Sequence, residues 1–403
     1  MIQKSDSFEF VSYKIHLDKK TIDFNYRARE IYFTEKIILP EEIPSSIKEE
    51  LVDQVLENLH LILGISYYKI YCPKKINVPY RLSKAQADFW NTIYTKGLGE
   101  FFYKNTIDFR NLINFPHYNS NEPPIQPRRL DEAKKNKVLV GIGGGKDSIV
   151  AIELLRKKGK QITGLILETG SSHIQREVAR TAGIEFLLVK RQIDNKLFEL
   201  KNIYNGHVPF SAIFAFVALL VSIVYDYSSI ITANEKGSNF GNVNYLGVEV
   251  NHQWSKSEEF ENLFKDYVKK FITSEVSFSS ILRTYSEMEI VQMFCSQKKY
   301  FHVFSSCNKN FKIKTSINQK KWCGECPKCA FVFIMLATRL PKKEIVSIFG
   351  KNMLDDDSLV PLYKDLIGQG SIKPFDCVGT FEESIEALKI IKNKGEFNVS
   401  KII

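Results

Sequence analysis

Residues 143–148 read Gly-Gly-Gly-Lys-Asp-Ser and follow an apolar run, Val138–Ile142. Consecutive glycines let backbone N–H groups approach phosphate oxygens with no Cβ in the way. A helix that follows adds positive potential at its N-terminus. Lys146 contributes a cation and Ser148 a hydroxyl donor. Asp147 would be repelled by bare phosphate, which points to a magnesium ion or to a backbone role. The chemistry implied is nucleotide binding at Gly143, Gly144, Gly145, Lys146, Asp147 and Ser148, with Lys146 and Asp147 acting on the reacting phosphates. A second set is Cys307, Cys323, Cys326 and Cys329, spaced C-x15-C-x2-C-x2-C. The short steps let one chain wrap a tetrahedral ion, and the distant thiolate closes the shell. A closed shell of four thiolates on Zn²⁺ is structural, and leaves a formal charge of about −2. Lys309, Lys312, Lys320, Lys321 and Lys328 lie nearby in sequence to offset it. An iron–sulfur cluster and unligated thiols are the alternatives. Cys72, Cys295 and Cys377 read as simple buried residues.

Between these sets, residues 232–261 are dense in Asn, Gly, Ser and charge. A polar loop of that length inside an α/β domain is usually functional. Asn234, Glu235, Lys236 and Asn242 are candidates for binding substrate or metal. His252 is a candidate general acid or base; a structural histidine with satisfied partners is the alternative.

These residues need elements to hold them. From Lys137 the pattern alternates: a strand KVLVGI, a helix Ile149–Lys158, a strand QITGLILET, a helix His173–Gly183, a strand EFLLVKR, an apolar helix from Pro209, and a strand SSIITANE. That rhythm predicts a parallel sheet covered on both faces. Ligands then bind at the carboxyl ends of the strands, in loops 143–148, 168–172 and 234–244. Residues 1–130 read as an α+β domain, with aromatic-rich runs and a helical stretch IKEELVDQVLENLHLILG. NSNEPPIQPRRLDEAKKNK is the linker candidate. Residues 131–340 form the nucleotide domain, including the knuckle 307–329, and 341–403 a helical C-terminal segment.

The chain has 403 residues, 44% hydrophobic and 25% charged, with formal charge +10. That balance suits an anionic partner without choosing one. MIQKSDSFEF has no apolar h-region, so a cytoplasmic location is expected. Val208–Tyr225 approaches membrane-span length, but Pro209, Ser211 and Ser222 favour a buried helix. Pro209 suits a first helical turn.

Two common phosphate loops fail. A Walker loop requires Lys then Ser/Thr after the last glycine; here Lys146 precedes Asp147, and Val140 fills the first glycine position. A dinucleotide fingerprint starting at Gly141 meets Lys146 where its third glycine belongs.

The loop GGGKDS resembles the S-G-G-x-D-S motif of PP-loop ATP pyrophosphatases, with Gly143 in place of the serine. The resemblance covers roughly residues 135–340. It implies an adenine nucleotide alpha hydrolase-like α/β fold, and cleavage of ATP to AMP and pyrophosphate with Mg²⁺. It also sets Glu168 and Thr169, at the end of the second strand, beside the adenosine. The late cysteine set is similar to that of 7-cyano-7-deazaguanine synthase, another PP-loop enzyme. The succession GLGEFFYKNTIDFRNLINFP, GIGGGKDS, ANEKGSNFGN, NHQWSKSEEFE, SCNKNF and KWCGECPKCAFVF resembles the UDP-N-acetylmuramoyl-L-alanyl-L-glutamate epimerase family of peptidoglycan synthesis. That resemblance implies an isomerase inverting the terminal L-glutamate of a UDP-linked muramoyl dipeptide through an acyl-adenylate. No stable nucleic-acid partner and no membrane association are expected. The rival readings are an amide- or nitrile-forming PP-loop ligase and a tRNA-modifying PP-loop enzyme. An RNA reader should carry a dense Lys/Arg patch with exposed aromatics; the lysines here are dispersed.

Overall fold

Alternation within single strands sets the architecture. Val138 and Val140 belong to one apolar cluster and Leu139 to another; Ile166 divides in the same way from Leu165 and Leu167. Successive side chains of a strand point to opposite faces, so the sheet separates two hydrophobic layers. The helices Glu49–Leu63 and Phe210–Val224 cover one face, and Lys146–Lys157, His173–Ala182, Glu287–Cys295 and Pro327–Ala337 lie over the other. The chain was built as a computed structural model that describes residues 6–118, 137–311, 320–370 and 372–402. Lys312 and all of the expected linker except Lys137 lie outside the described residues.

The strands are β1 (Ser7–Ile15), β2 (Thr21–Ala28), β3 (Ile31–Ile38), β4 (Lys75–Asn77), β5 (Lys137–Gly141), β6 (Gln161–Glu168), β7 (Glu185–Gln192), β8 (Ser229–Thr232), β9 (Val243–Tyr245), β10 (Val248–Val250) and β11 (Ser277–Ser280). Nine of them form one sheet in the order β11-β8-β5-β6-β7-β3-β2-β1-β4. From β11 to β7 neighbours run parallel. Then β3, β2 and β1 follow antiparallel. The parallel strands β5 and β6 have consecutive buried residues, whereas β2 alternates buried and half-buried. This is the expected difference between a sheet covered on both faces and one covered on one. The N-terminal strands therefore extend the same sheet. Arg191 at the end of β7 bonds Glu35 of β3 at 2.6 Å and Ser66 at 2.9 Å, all three buried, across that seam.

Two expectations shift, and one strand stands where none was expected. The helix after β5 begins at Lys146 rather than Ile149, so Lys146, Asp147 and Ser148 stand in its first turn. The 232–261 stretch is not one open loop: it contains a short 3-10 turn, the β9–β10 hairpin, a second turn Trp254–Lys256 and the start of the helix Glu258–Phe271. The serine-rich strand β11 carries too little apolar alternation to stand out in sequence. The apolar stretch forms the helix Phe210–Val224 with Pro209 as its N-cap. Among the described residues no helix is long and apolar enough to cross a membrane. After Pro341 the chain is helical, at Lys342–Phe349, Val360–Leu366 and Phe381–Lys394.

Candidate active site

The chain runs β5, β6, β7 in one direction and then crosses back to lay β8 on the other side of β5. That reversal opens a crevice at the carboxyl ends of β5 and β8. Gly143–Gly145 follow β5, and Asn234 and Glu235 follow β8. Gly144 has φ +86°, a left-handed conformation that glycine accepts without strain. A Cβ on Gly145 would meet Ser306 Oγ at 2.4 Å, while one on Gly143 would meet nothing within 4 Å. The loop is thus pressed against residues 305–306 on one side and open at Gly143 on the other. Ser148 Oγ donates to Gly145 O at 2.9 Å and closes the turn.

Lys146 is 1% exposed. Its ammonium ion-pairs with Asp147 and with Glu287 Oε1, the latter at 2.5 Å. Burial opposes that charge, but the two carboxylates outweigh it and hold Lys146 above its ordinary value. Burial, with the charges of Asp147 and Glu235, lifts Glu287 to about 7 although Lys146 opposes. Asp147 is half-buried, and against that burial Lys146, Lys328 and Lys256 keep it below the usual carboxylate range. Four helix N-termini meet here. The helix Lys146–Lys157 opens on Lys146, and Glu287–Cys295 on Glu287. Glu287 N donates to Glu383 Oε1 at 3.0 Å, in the first turn of Phe381–Lys394. Lys328, at the start of Pro327–Ala337, donates to Cys377 O. Their combined dipoles favour an anionic ligand.

At the end of β6, Glu168 is bound by Arg176 at 3.0 Å and by Ser172. Thr169 Oγ1 is buried without a partner among the described residues. Asn234 Nδ2 donates to Thr232 Oγ1 at 3.2 Å, and Ser280 Oγ donates to Asn234 O at 2.6 Å. Glu235 is buried, and its carbonyl accepts from Arg283 at 3.2 Å.

His252 lies in the turn that follows β10, two residues after Val250. Asn242 Oδ1 accepts from His252 N at 2.8 Å, and Asn242 Nδ2 donates to Pro374 O at 2.9 Å. His252 Nδ1 is 2.5 Å from Glu100 Oε2, and His207 Nδ1 is 3.4 Å from the same oxygen. The His252 ring also hydrogen-bonds Cys377, whose Sγ accepts from Lys256 Nζ at 3.1 Å. Burial alone would lower His252, but Cys377 and Glu100 raise it to about 9. Burial would raise Glu100, yet His252, His207 and Lys104 bring it down to about 2. Burial and the His252 charge press His207 down to about 3. Cys377 is likewise pushed up by burial, and Lys256, His252 and Lys328 overcome this, leaving it at about 5. Cys377 is half-buried rather than sealed in the core, and it carries partners suited to a thiolate. The simple buried reading of Cys377 is thereby corrected.

The sulfurs of Cys307, Cys323, Cys326 and Cys329 all lie within 4.8 Å of one another, and none is in a disulfide. Cys326 and Cys329 are 3.4 Å apart, Cys323 and Cys329 3.7 Å. Four ligands about 2.3 Å from one tetrahedral ion would be separated by roughly 3.8 Å. Of the nearby lysines, Lys309 pairs with Glu325 at 2.8 Å and Lys321 with Glu177 at 3.1 Å, both outside the thiol set.

Sequence reasoning missed Glu287, Lys256, Glu100, His207 and Cys377. Glu100 and Lys256 lie inside conspicuous stretches, GLGEFFYKN and NHQWSKSEEFE, but nothing local marks either side chain. Family models described as the MurL N-terminal domain and the MurL C-terminal domain match residues 1–281 and 303–403. Three relatives are each named UDP-N-acetyl-alpha-D-muramoyl-L-alanyl-L-glutamate epimerase. The Micromonospora protein is 33% identical over 100% of this chain and 90% of its own. That of Xanthomonas oryzae is 36% identical over 87% and 77%, and that of Salinispora tropica 32% over 100% and 88%. A solved structure of a predicted tRNA methyltransferase subunit from Methanocaldococcus jannaschii is 14% identical. It covers 40% of this chain and 75% of its own at TM-score 0.25, so the fold rests on the sheet order above.

Proposed function

We infer the function from one premise: the chain belongs to the MurL family of UDP-N-acetylmuramoyl-L-alanyl-L-glutamate epimerases. It inverts the Cα of the terminal L-glutamate of that UDP-linked dipeptide and drives the inversion by cleaving ATP to AMP and pyrophosphate. The observation that carries the ATP reading is the buried Lys146 ammonium at a helix N-terminus, beside a glycine loop open at Gly143 and at the strand reversal. The partnerless Thr169 Oγ1 and the four helix N-termini fit a nucleotide with a polyphosphate. Three carboxylates, Asp147, Glu235 and Glu287, stand together, and burial followed by the charges of the other two lifts Glu287 to about 7. They would hold a magnesium ion, which supplies positive charge opposite the phosphates. The knuckle sulfurs have the spacing to hold a structural zinc ion.

An α-proton is hard to remove beside an ionised carboxylate. Joining that carboxylate to AMP removes the charge, so the carbonyl can accept the electrons of the C–H bond. Lys146 and the loop N–H groups stabilise the pyrophosphate as it leaves. Lys256, Lys328 and the formal net charge of +10 suit a substrate bearing a diphosphate.

The test incubates the protein with the L-glutamyl UDP-dipeptide, ATP and Mg²⁺ in D₂O. AMP, pyrophosphate and a D-glutamyl product deuterated at Cα are expected, with no label when ATP is omitted. ADP and phosphate as products would refute the pyrophosphatase assignment. Lys146→Ala should abolish AMP release. Because it strands the buried Glu287 carboxylate beside half-buried Asp147, it should also cost roughly 3 kcal/mol of stability, read as a lowered unfolding midpoint.

A further inference from the structure

Three segments distant in sequence meet at one sulfur. Glu100 comes from the short helix Gly99–Lys104, His252 and Lys256 from the stretch after β10, and Cys377 from the segment leading into Phe381–Lys394. Their order in space is carboxylate, imidazole, thiol: Glu100 Oε2 sits 2.5 Å from His252 Nδ1, and the same ring hydrogen-bonds Cys377. This is the constellation of an activated sulfur, in which a base is held by a third group. Lys256 Nζ, 3.1 Å from Sγ, adds a second cation. A cysteine that merely fills space has no use for two half-buried cations, each partly desolvated. Glu100 matches the charge on His252, and an ionised sulfur adds an anion between His252 and Lys256.

The place of this thiol also matters. Lys256 is influenced by Cys377, Glu235 and Asp147 together. Lys328, at the start of Pro327–Ala337, bonds the Cys377 carbonyl, and its charge also acts on Asp147 of the phosphate loop, where a carboxylate would meet the nucleotide. The carbon bearing the α-proton is one bond from that carboxylate.

We propose that Cys377 Sγ is the group that exchanges the α-proton of the glutamyl residue, with His252 and Lys256 holding it ionised and Glu100 positioning His252. The proposal rests on the epimerase reading above. The sulfur lone pair takes the α-proton and becomes a thiol. The C–H electron pair moves into the adjacent activated carbonyl, giving an enolate. Return of a solvent-derived proton to the opposite face restores the C–H bond with inverted configuration, and the thiol gives its proton back to solvent. No oxidant or reductant is needed.

The test compares wild type with Cys377→Ser, which keeps the volume and loses the acidity. Two quantities are read in D₂O with ATP and Mg²⁺: AMP release, and deuterium at the glutamyl Cα starting from either epimer. The ratio of deuteration to AMP release is expected to fall by about 10² or more, the usual range for a lost proton-transfer group. A ratio that stays at the wild-type value overturns the proposal, as does a parallel loss of both readouts. Wild type that releases no AMP and exchanges no proton would instead sink the epimerase reading. Should Cys377→Ser not fold, wild-type protein is alkylated with iodoacetamide, and the peptide containing Cys377 is followed by mass. Loss of α-exchange in step with that modification, slowed by substrate, supports the assignment. Full exchange by the modified protein overturns it, and so does a glutamyl thioester trapped on Cys377, which would make the sulfur a nucleophile.

Discussion

Two regions of the molecule put cysteine sulfur to use, and they are built in opposite ways. Residues 307–329 supply four thiols from one short stretch, and these thiols face one another. Around Cys377 a single thiol faces Lys256, His252 and the Lys328 bonded to its carbonyl. In the first region negative charge is concentrated, and among the described lysines Lys309 pairs with Glu325 and Lys321 with Glu177. A metal cation is the natural complement there. In the second region the cations are already in place, and the sulfur is free to do chemistry. The lesson is that the balance of charge around a thiol, rather than its burial, separates a structural sulfur from a reactive one. The regions touch: Asn308 donates to Asp376, next to Cys377, so the knuckle braces the segment that carries the reactive sulfur.

The largest expected effect strikes the first region. Cys326 is both a proposed ligand and the N-cap of the helix Pro327–Ala337, accepting from Cys329 N. Structural zinc contributes binding free energy on the order of 10 kcal/mol to folding. Cys326→Ser should lose its zinc and unfold, or melt far below wild type. Cys377→Ser should keep one zinc per chain. Metal analysis and thermal unfolding of both proteins check the contrast. Stoichiometric zinc in Cys326→Ser would erase the proposed difference between the two regions.

A smaller effect belongs to the second region and depends on pH. His252 is raised from 6.5 to about 9 in the folded protein. A group raised in this way gives stability that is fully present below pH 6.5 and is lost as pH climbs through 9. Glu100→Gln removes one of the two anions responsible, leaving Cys377. Cys377, lowered from 9 to about 5, gains stability as pH rises across the same window and offsets that loss, so wild type should stay nearly flat between pH 6.5 and 9. Glu100→Gln weakens the His252 share, so its stability should rise with pH there. Unfolding midpoints across that window measure the difference. Identical pH slopes would show that Glu100 does not hold the charge of His252.

What could be read in the sequence follows the same division. The phosphate loop and the four-cysteine set are local patterns, in which identity and spacing carry the chemistry. The strands β5, β6 and β7 were legible from their apolar runs, because a strand covered on both faces needs one. The start of the helix at Lys146 was not, since a Gly-Lys-Asp-Ser turn looks alike whether it ends a loop or begins a helix. The joining of β3 to β7 was hidden because it is a pairing between distant segments, sealed by Arg191 and Glu35, two charged residues that read as surface. Glu100, Lys256 and Cys377 were hidden for the same reason: each is unremarkable beside its sequence neighbours and acquires a role only from residues that folding brings to it. His252 was found as a type, but its partners were not.

The smallest expected effect tests how that long-range assembly is held. Asn242 bonds both parts of it, accepting from His252 N at 2.8 Å and donating to Pro374 O at 2.9 Å. It bonds backbone groups rather than a sulfur, so its influence must pass through the position of the Cys377 segment relative to His252. A hydrogen bond of this kind is worth about 1 kcal/mol net, and the backbone groups released can turn to water because the site is only part-buried. Asn242→Ala should then slow α-deuteration about fivefold, the rate equivalent of that energy. AMP release should change less, because the phosphate loop is held by Ser305, which donates to Gly144 O at 3.0 Å, and by Lys146. Zinc content should not change at all. Equal slowing of AMP release and deuteration would mean that Asn242 supports the crevice as a whole, and that the thiol cluster and the phosphate loop form a single unit rather than two separable ones.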